Sequence, residues 1–393
     1  MVFAGERCVK LHRIMLSALG LWPYHKSFIW RIQSVFFFGA HCSTLFSQLL
    51  LFITSACNMD CTLKRFCYIC ATIIPIMSYY SFYFNSENLK RALQHMLLDW
   101  KMFENSDAIK IFEEYLFVSY IFTLFSCISV LIAGVIFSAV ECRYIILDVI
   151  APMNESRSRK IEMEFELFVN EEQYFFLYLV LEIVGVEIGV WLVLSTGTFL
   201  TTVAQHSCAV YKIVSYLIRN TVTIHTLQLP PSQRMQFMRR NIYLSIYMHR
   251  RTLELCKGLL LSFDMWYFPL ILICVLSLSC VLFRLYNGII HSDDFYDILV
   301  PAVMLCCYIV YMLLANFLGQ SYSEHSVELL ESTYDIYWYV APLPIQKLFL
   351  IMQKSIKSHK IMLGGLFVLS IEGFSTMMTT AVSYFTVMHA MRL

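Results

Sequence analysis

Seven long apolar stretches divide the chain. About 20 mostly apolar residues in a helix are enough to cross the hydrocarbon core of a bilayer. The pattern predicts membrane spans at residues 34–57, 66–84, 115–140, 175–203, 261–286, 297–318 and 366–391. The expected fold class is therefore an all-α polytopic membrane protein with seven transmembrane helices.

Lysine and arginine lie mainly on one side of these spans. Five precede the first span, and four, eight and four lie in the second-to-third, fourth-to-fifth and sixth-to-seventh connections, which leaves 8 of the 29 for the other side. Because positively charged residues resist translocation, the richer side is cytoplasmic. The N-terminus is therefore predicted to be cytoplasmic and the C-terminus, after an odd number of spans, extracellular.

The connection between the third and fourth spans has the opposite character. It carries eight acidic residues between Glu141 and Glu172, together with the sequon Asn154-Glu155-Ser156. A sequon of this kind is used on the lumenal side, which agrees with the outward placement that the charges give. Asn154 is the predicted glycosylation site, although a lone sequon also arises often by chance.

Composition supports the membrane prediction and excludes several other classes. Apolar residues make up 59% of the chain and charged residues 15%, whereas soluble domains are near one half and one quarter. The net charge of +1 gives no basic field for nucleic acid. We find no nucleotide-binding loop, metalloprotease motif or nucleophile elbow, so neither an enzyme nor a cofactor is expected.

Fourteen cysteines do not form a metal-binding pattern. Most lie inside the predicted spans, where a free thiol behaves as a small apolar group. Cys67 and Cys70 have zinc-like spacing but lack a second ligand pair. The lumenal side holds Cys57, Cys61 and Cys142, so one disulfide is expected there and its pairing stays open.

The last quarter of the chain carries its most specific text. Tyr334 is followed by Trp338-Tyr339-Val340-Ala341-Pro342, by a Leu-Ile-Met-Gln-Lys-Ser run at 350–355, and by a closing Ser383-Tyr384 helix. Near the other end, Leu19-Gly20-Leu21-Trp22-Pro23 precedes the first span. These motifs resemble those of insect odorant receptors. The strong resemblance covers about 70 residues, and the rest matches in topology and length.

Details of the match indicate a branch of that family. The chain ends His389-Ala390-Met391-Arg392-Leu393, where the related gustatory receptors typically close on glutamine and phenylalanine. The fourth-to-fifth connection is short, whereas the shared co-receptor carries a large insertion there. The resemblance therefore implies an odorant-tuning subunit. Leu366, where the family usually has a basic residue, is a local departure.

The resemblance implies a ligand-gated, non-selective cation channel subunit that forms a heterotetramer with a co-receptor in the plasma membrane of a sensory dendrite. It divides the chain into a cytoplasmic segment 1–33, six helices over 34–318, a cytoplasmic anchor 319–365 and a pore helix 366–393. The alternative is a G-protein-coupled chemoreceptor, since Glu141-Cys142-Arg143-Tyr144 follows the third span. An inserted cysteine and the outward location weigh against it, and the absence of internal repeats weighs against a transporter.

The last span carries small polar groups that suit a pore. A pore helix needs a wettable face, although a packed helix uses Ser and Thr equally well. The resemblance makes Val387 the apolar constriction, which closes a pore by dewetting. The predicted pore and gate residues are Glu372, Thr376, Thr380, Ser383, Val387, Ala390 and Met391.

The segment from 342 to 360 is amphipathic. Its apolar residues recur at steps of three and four, which predicts one helical face. Either this face lies on the membrane surface or, as the resemblance implies, it packs against other subunits in a tetramer anchor. The predicted anchor residues are Ile345, Leu348, Phe349, Met352 and Ile356.

The resemblance also implies a small volatile ligand in the outer halves of the second, third, fourth and sixth helices. Such a ligand needs mainly shape complementarity and one or two polar groups, and each residue has ordinary interhelical packing as its alternative. Glu182 and Glu187 differ, because a carboxylate at membrane depth is costly unless it is paired or hydrated. Contact with an amine-bearing ligand is one explanation. The candidates are Ile69, Thr72, Ile73, Ile76, Val130, Ala133, Gly134, Phe137, Tyr174, Tyr178, Leu181, Glu182, Met304, Tyr308 and Tyr311.

Overall fold

The computed structural model describes residues 4–24, 28–55, 57–150, 161–170, 172–291, 295–356 and 359–392. Within these ranges the chain forms twelve α-helices, a short 3₁₀ turn at Trp338–Val340 and one two-stranded hairpin. The helices are α1 (Ala4–Ala18), α2 (Phe28–Thr54), α3 (Met59–Phe84), α4 (Ser86–Phe103), α5 (Ile109–Glu141), α6 (Arg143–Ile150), α7 (Phe175–Arg219), α8 (Ile224–Gln228), α9 (Pro231–His291), α10 (Phe295–Ser332), α11 (Leu343–Ser355) and α12 (Ile371–Arg392).

Six of the described helices are long and apolar enough to cross a membrane, namely α2, α3, α5, α7, α9 and α10. They coincide with the first six predicted spans, so the chain is a multi-pass membrane protein. The predicted seventh span corresponds to α12, whose 22 residues reach about 33 Å. This helix is long enough to cross but too polar to join the six, because hydroxyl residues recur along it.

Three helices run well beyond the spans predicted for them. The sequence predicts ends at 203 and 318 and a start at 261, whereas α7 continues to Arg219, α10 to Ser332, and α9 begins at Pro231. The fourth-to-fifth connection is therefore mostly two helical extensions. At 61 residues, α9 is about 90 Å long against a bilayer core of about 30 Å.

A core outside the predicted spans explains these extensions. Met238, Ile242 and Met248 of α9 are fully buried at helical spacing, against Tyr211 and Val214 of α7. The start of α5 and the far end of α10 complete this layer. The outward faces of the extensions are charged, which lowers their mean hydropathy. The spans predicted from hydropathy therefore end before the helices do.

The N-terminal helix is tied into the bundle by a buried histidine. The Nε2 atom of His12 lies 2.8 Å from the hydroxyl of Thr202 on α7, and that hydroxyl lies 2.6 Å from the Ser119 hydroxyl of α5. Burial lowers the pKa of His12 to about 4, so the imidazole is neutral at physiological pH. The segment predicted as a cytoplasmic tail is thus a docked helix.

A tight hairpin joins the anchor region to α12. Strands Met362–Leu363 and Phe367–Val368 pair antiparallel, and Gly364 and Gly365 between them have φ of +61° and +66°. These left-handed values favour glycine. The predicted seventh span begins at 366, but the hairpin occupies that position. The helix starts at Ile371 because the Ser370 hydroxyl caps it, accepting from the Gly373 amide at 3.0 Å.

Candidate functional site

One face of α12 is exposed over its whole length. At 100° per residue, the seven predicted pore residues fall within an arc of about 100°. Six of them are exposed, and Thr380 is half-buried at the edge of the stripe. Their hydroxyl groups donate within the helix, from Thr376 to the Glu372 carbonyl at 3.0 Å and from Ser383 to the Thr379 carbonyl at 2.8 Å. The polar stripe therefore does not pack against its own subunit.

The opposite face of α12 holds it to the bundle. Met377 and Ala381 are buried against α9 and α10, with Phe385 partly buried beside them. The His389 ring lies 3.1 Å from the Tyr286 hydroxyl of α9. The serines and threonines of the exposed face therefore do not serve packing within the subunit, which was one of their two explanations.

The fifteen ligand candidates divide by exposure. Ile69, Tyr178, Glu182 and Tyr308 are buried. A second group is half-buried between helices and comprises Thr72, Ile73, Ile76, Val130, Gly134, Phe137, Met304 and Tyr311. Ala133, Tyr174 and Leu181 are exposed on the surface of the subunit and so line no space inside it. Helical geometry explains Leu181, because it points about 100° away from its buried neighbour Glu182.

Five of the buried and half-buried candidates lie in two separate clusters. Tyr308, Met304 and Tyr311 pack with α3 and α9, and the Tyr308 hydroxyl accepts from Ser277 at 2.7 Å. Tyr178 and Glu182 instead pack at the outer end of α7, under the extended segment 161–170. We call this segment the outer strap. In the sequence it is recognisable only as part of the acidic connection between the third and fourth spans.

Glu182 is the most deeply buried polar candidate, with 1% of its surface exposed. Its Oε1 accepts from the strap amide of Met163 at 2.8 Å. Its Oε2 has no hydrogen-bond partner in the described part of the chain. The Phe165 and Tyr178 rings stack in the same cluster, 5.1 Å apart and inclined by 21°. The Met163 amide and the preceding turn of α7 thus hold the carboxyl group next to this aromatic cluster.

Glu187 lies on α7 between one and two turns after Glu182, against Gly134 of α5. A Cβ on Gly134 would lie 2.4 Å from the Glu187 Oε1, which is closer than side-chain carbons approach. Gly134 therefore admits the carboxylate into the contact between α5 and α7. This position of Gly134 is explained by helix packing around Glu187.

Ion pairs that the sequence did not predict fasten the strap. Glu162 accepts from Arg284 at 2.6 Å and from the Tyr68 hydroxyl at 2.8 Å. Glu164 accepts from Arg65 at 3.1 Å, and Lys64 lies 3.6 and 3.7 Å from the two carboxylates. The feature of the sequence that could have indicated these ion pairs is the small number of basic residues among many acidic residues on this side of the membrane. The pairing itself spans up to 122 residues and needs the fold.

The cleft beside these pairs is small. It holds about 10 Å³ and is lined by Gln48, Leu51, Lys64, Arg65, Tyr68 and Glu164. That volume is near the minimum for one water molecule. A volatile molecule does not fit this cleft, so binding under the strap requires strap side chains to move.

The predicted anchor face points into the subunit. Ile345, Phe349, Met352 and Ile356 are buried in the core of the helical extensions, and Leu348 packs partly against it. The face is therefore covered by its own subunit, so these residues neither lie on a membrane surface nor pack against other subunits as predicted. The outward apolar residues of the same helix are Leu343, Leu350 and Ile351.

The cysteine pairing left open by the sequence is resolved. Cys57 and Cys61 form a disulfide with Cα atoms 5.6 Å apart, and Cys142 is a free thiol. Cys67 and Cys70 are buried free thiols in α3. The predicted glycosylation site Asn154 lies outside the described residues.

Comparisons with known proteins agree with this architecture. A family model described as 7tm Odorant receptor matches residues 58–382. The olfactory receptor OR5 of the insect Machilis hrabei, in complex with eugenol, superposes with a TM-score of 0.79 at 12% identity, over 98% of this chain and 97% of that one. A second structure of that receptor gives 0.73 at 14% identity, over 96% of each chain. At such identities the likeness shows the fold. No curated protein matches the chain significantly.

Proposed function

The chain belongs to the odorant receptor family, and we propose that it is the odorant-tuning subunit of a ligand-gated, non-selective cation channel. It works in a heterotetramer with a co-receptor, in the plasma membrane of a sensory dendrite. Its N-terminus is cytoplasmic and its C-terminus extracellular, as the lysine and arginine distribution favours. The family is one of receptors and not of enzymes.

The uncovered polar stripe of α12 carries the channel proposal. Hydroxyl groups and the exposed Glu372 are poorly suited to lipid tails, because polar groups at membrane depth face protein or water. Four such helices around one axis turn the stripe toward a shared aqueous path. Val387 then forms an apolar ring near the outer end, and slight widening of this ring admits water.

The ligand is proposed to bind in the outer halves of the membrane helices. The structural neighbour in complex with eugenol is an olfactory receptor that holds a small aromatic molecule. In this chain Tyr308, Met304 and Tyr311 of α10 pack with apolar residues of α3 and α9. Apolar and aromatic walls with a few hydroxyl groups suit a volatile molecule.

The segment 319–365 is proposed to be the tetramer anchor, divided by depth into two roles. Phe349 and its buried neighbours fix α11 on its own subunit. The exposed Leu343, Leu350 and Ile351 are then free to meet other subunits. The segment 1–33 is cytoplasmic, the six helices over 34–318 hold the ligand, and 366–393 forms the pore helix with a short extracellular tail.

Recording from excised patches tests the proposal directly. Outside-out patches from cells that express this chain with a co-receptor are exposed to a panel of volatiles, with no nucleotide in the pipette. We expect a cation current within milliseconds to seconds of application. A response that appears only in intact cells and requires GTP would overturn the channel and favour the G-protein-coupled class.

A further inference from the structure

We infer that Glu182 recognises the ammonium group of a small amine, which makes volatile amines the ligand class of this receptor. The inference rests on the proposed function, in which a volatile molecule binds among the outer helix halves. It is carried by a buried carboxyl oxygen that the protein leaves unbonded, and by the aromatic rings around it.

The carboxyl group is built into the protein but only half satisfied. Glu182 is 99% buried, and the Met163 amide bonds one oxygen at 2.8 Å. The other oxygen has no donor among the residues that the structure describes. A buried polar atom without a partner is costly, so a ligand that donates a hydrogen bond to it gains binding free energy.

The charges around Glu182 leave it without a counter-ion. Glu141 is also buried, and its carboxylate acts repulsively on that of Glu182. The cations nearby are already engaged: Arg284 and Lys64 lie 2.6 and 3.6 Å from Glu162, and Arg143 lies 3.9 Å from Glu141. An amine supplies the missing positive charge beside Glu182, whichever of the two groups holds the proton before binding.

Aromatic side chains supply the second feature that an ammonium group requires. Phe165 and Tyr178 stack in the cluster that contains Met163, the donor to Glu182, and Phe175 is buried in the same cluster. Ring faces attract cations, most strongly where water is excluded. The organic part of an amine gains from the same rings through dispersion.

Other ligand classes fit this site less well. Ketones and esters accept hydrogen bonds but carry no charge, so they cannot compensate a carboxylate. An alcohol donates one hydrogen bond but brings no counter-charge. A metal ion needs several ligating side chains, and no group of three suitable residues occurs in the described ranges. An ammonium group gives both the donor and the charge.

Access to Glu182 runs past the outer strap. Met163 and Phe165 cover the carboxyl group, whereas Glu162 is bound to α9 through Arg284. Because residues 161–170 have no helical or strand structure, their local side-chain rearrangement opens the enclosure without unfolding a helix. On binding, the amine then takes the place of the Met163 side chain above the carboxyl group.

The test compares amines with alcohols of the same shape. The complex of the full chain and its co-receptor is purified, and ligand-induced thermal stabilisation is measured for four pairs: butylamine and butanol, isoamylamine and isoamyl alcohol, cyclohexylamine and cyclohexanol, and 2-phenylethylamine and 2-phenylethanol. Evoked currents are recorded for the same pairs. We expect at least one amine to bind about 10-fold or more tightly than its alcohol, from a charge-assisted hydrogen bond.

Glu182→Gln keeps the shape of the side chain and removes the charge, so it should abolish this preference while alcohol binding stays within about threefold. Glu113→Gln, at an exposed glutamate of α5, is the matched control and should retain the preference. If no amine exceeds its alcohol in any pair on the native complex, the inference is wrong, whether or not the variant folds. Binding without current would instead count against the channel proposal alone.

Discussion

Replacing Val387 by alanine tests whether α12 closes a pore. In the single subunit 54% of the Val387 surface is exposed, on the polar stripe. The change removes two methyl groups, each about 1.5 Å beyond Cβ. The constriction widens by about 1.5 Å where one subunit carries the change and by about 3 Å where two facing subunits carry it, and the larger value is close to the diameter of a water molecule of ~1.4 Å radius. An apolar ring that closes by dewetting should then leak.

The same exposure separates a gating effect from a folding effect. Substitution of an exposed side chain usually changes stability by no more than about 0.5 kcal/mol. We therefore expect normal surface expression of Val387→Ala together with a raised resting cation current before any odorant is applied. Whole-cell recording measures this current, and replacement of permeant cations by a large organic cation identifies it as flow through the pore.

Val382→Ala provides the matched control. Val382 is 50% exposed on the same helix, about 140° around it from Val387, and undergoes the same chemical change. Its resting current should equal that of the native channel. A resting current unchanged in Val387→Ala at equal surface expression would refute the constriction. An equal rise in both variants would show that the position on the helix does not matter.

Three further predictions follow from burial. Phe349→Ala should lower the stability of the subunit by about 3–5 kcal/mol, whereas the exposed Leu350→Ala should leave its melting temperature unchanged and weaken assembly, measured by size-exclusion chromatography of the detergent complex. Alkylation without a reducing agent should leave Cys57 and Cys61 unmodified in mass spectrometry, and their modification would exclude the disulfide. The pKa of His12 is about 4 in the folded chain and 6.5 in the unfolded chain, so the unfolded chain binds more protons below pH 6.5. The free energy of unfolding should therefore fall by up to about 3 kcal/mol between pH 7 and pH 4. In His12→Asn this loss should be smaller.

The membrane part of the fold was predictable because its signal is local. Each of the first six spans is a run of about 20 or more apolar residues, and no tertiary contact is needed to find it. The extensions of α7 and α9 were missed for a physical reason. Met238 and Ile242 are buried at helical spacing, but Arg239 and Arg240 between them lower the average hydropathy. In this region the helix is indicated by the periodic spacing of apolar residues and not by mean hydropathy.

The candidate site was predictable only in part. The polarity of α12 could be seen in the sequence, but its exposure could not, because Ser and Thr suit a packed helix and a pore equally well. Glu182 stood out because a carboxylate at membrane depth is unusual. Its roof at Met163 and the pairing of Glu162 with Arg284 depend on chain segments far apart in sequence, which one sequence does not bring together.

The described contacts join the proposed ligand region to the proposed pore helix through one element. Tyr308 and Met304 lie on α10, and Asn316 lies two to three turns further along the same helix. The Asn316 side-chain oxygen accepts from the Ser370 amide at 3.2 Å, directly before α12, and its amide nitrogen contacts Met377 inside α12. A ligand that shifts α10 therefore acts on the base of α12 without an intermediate element. Because packed helices switch between discrete arrangements and do not deform continuously, a small displacement at the ligand is enough to bias the pore helix between two positions.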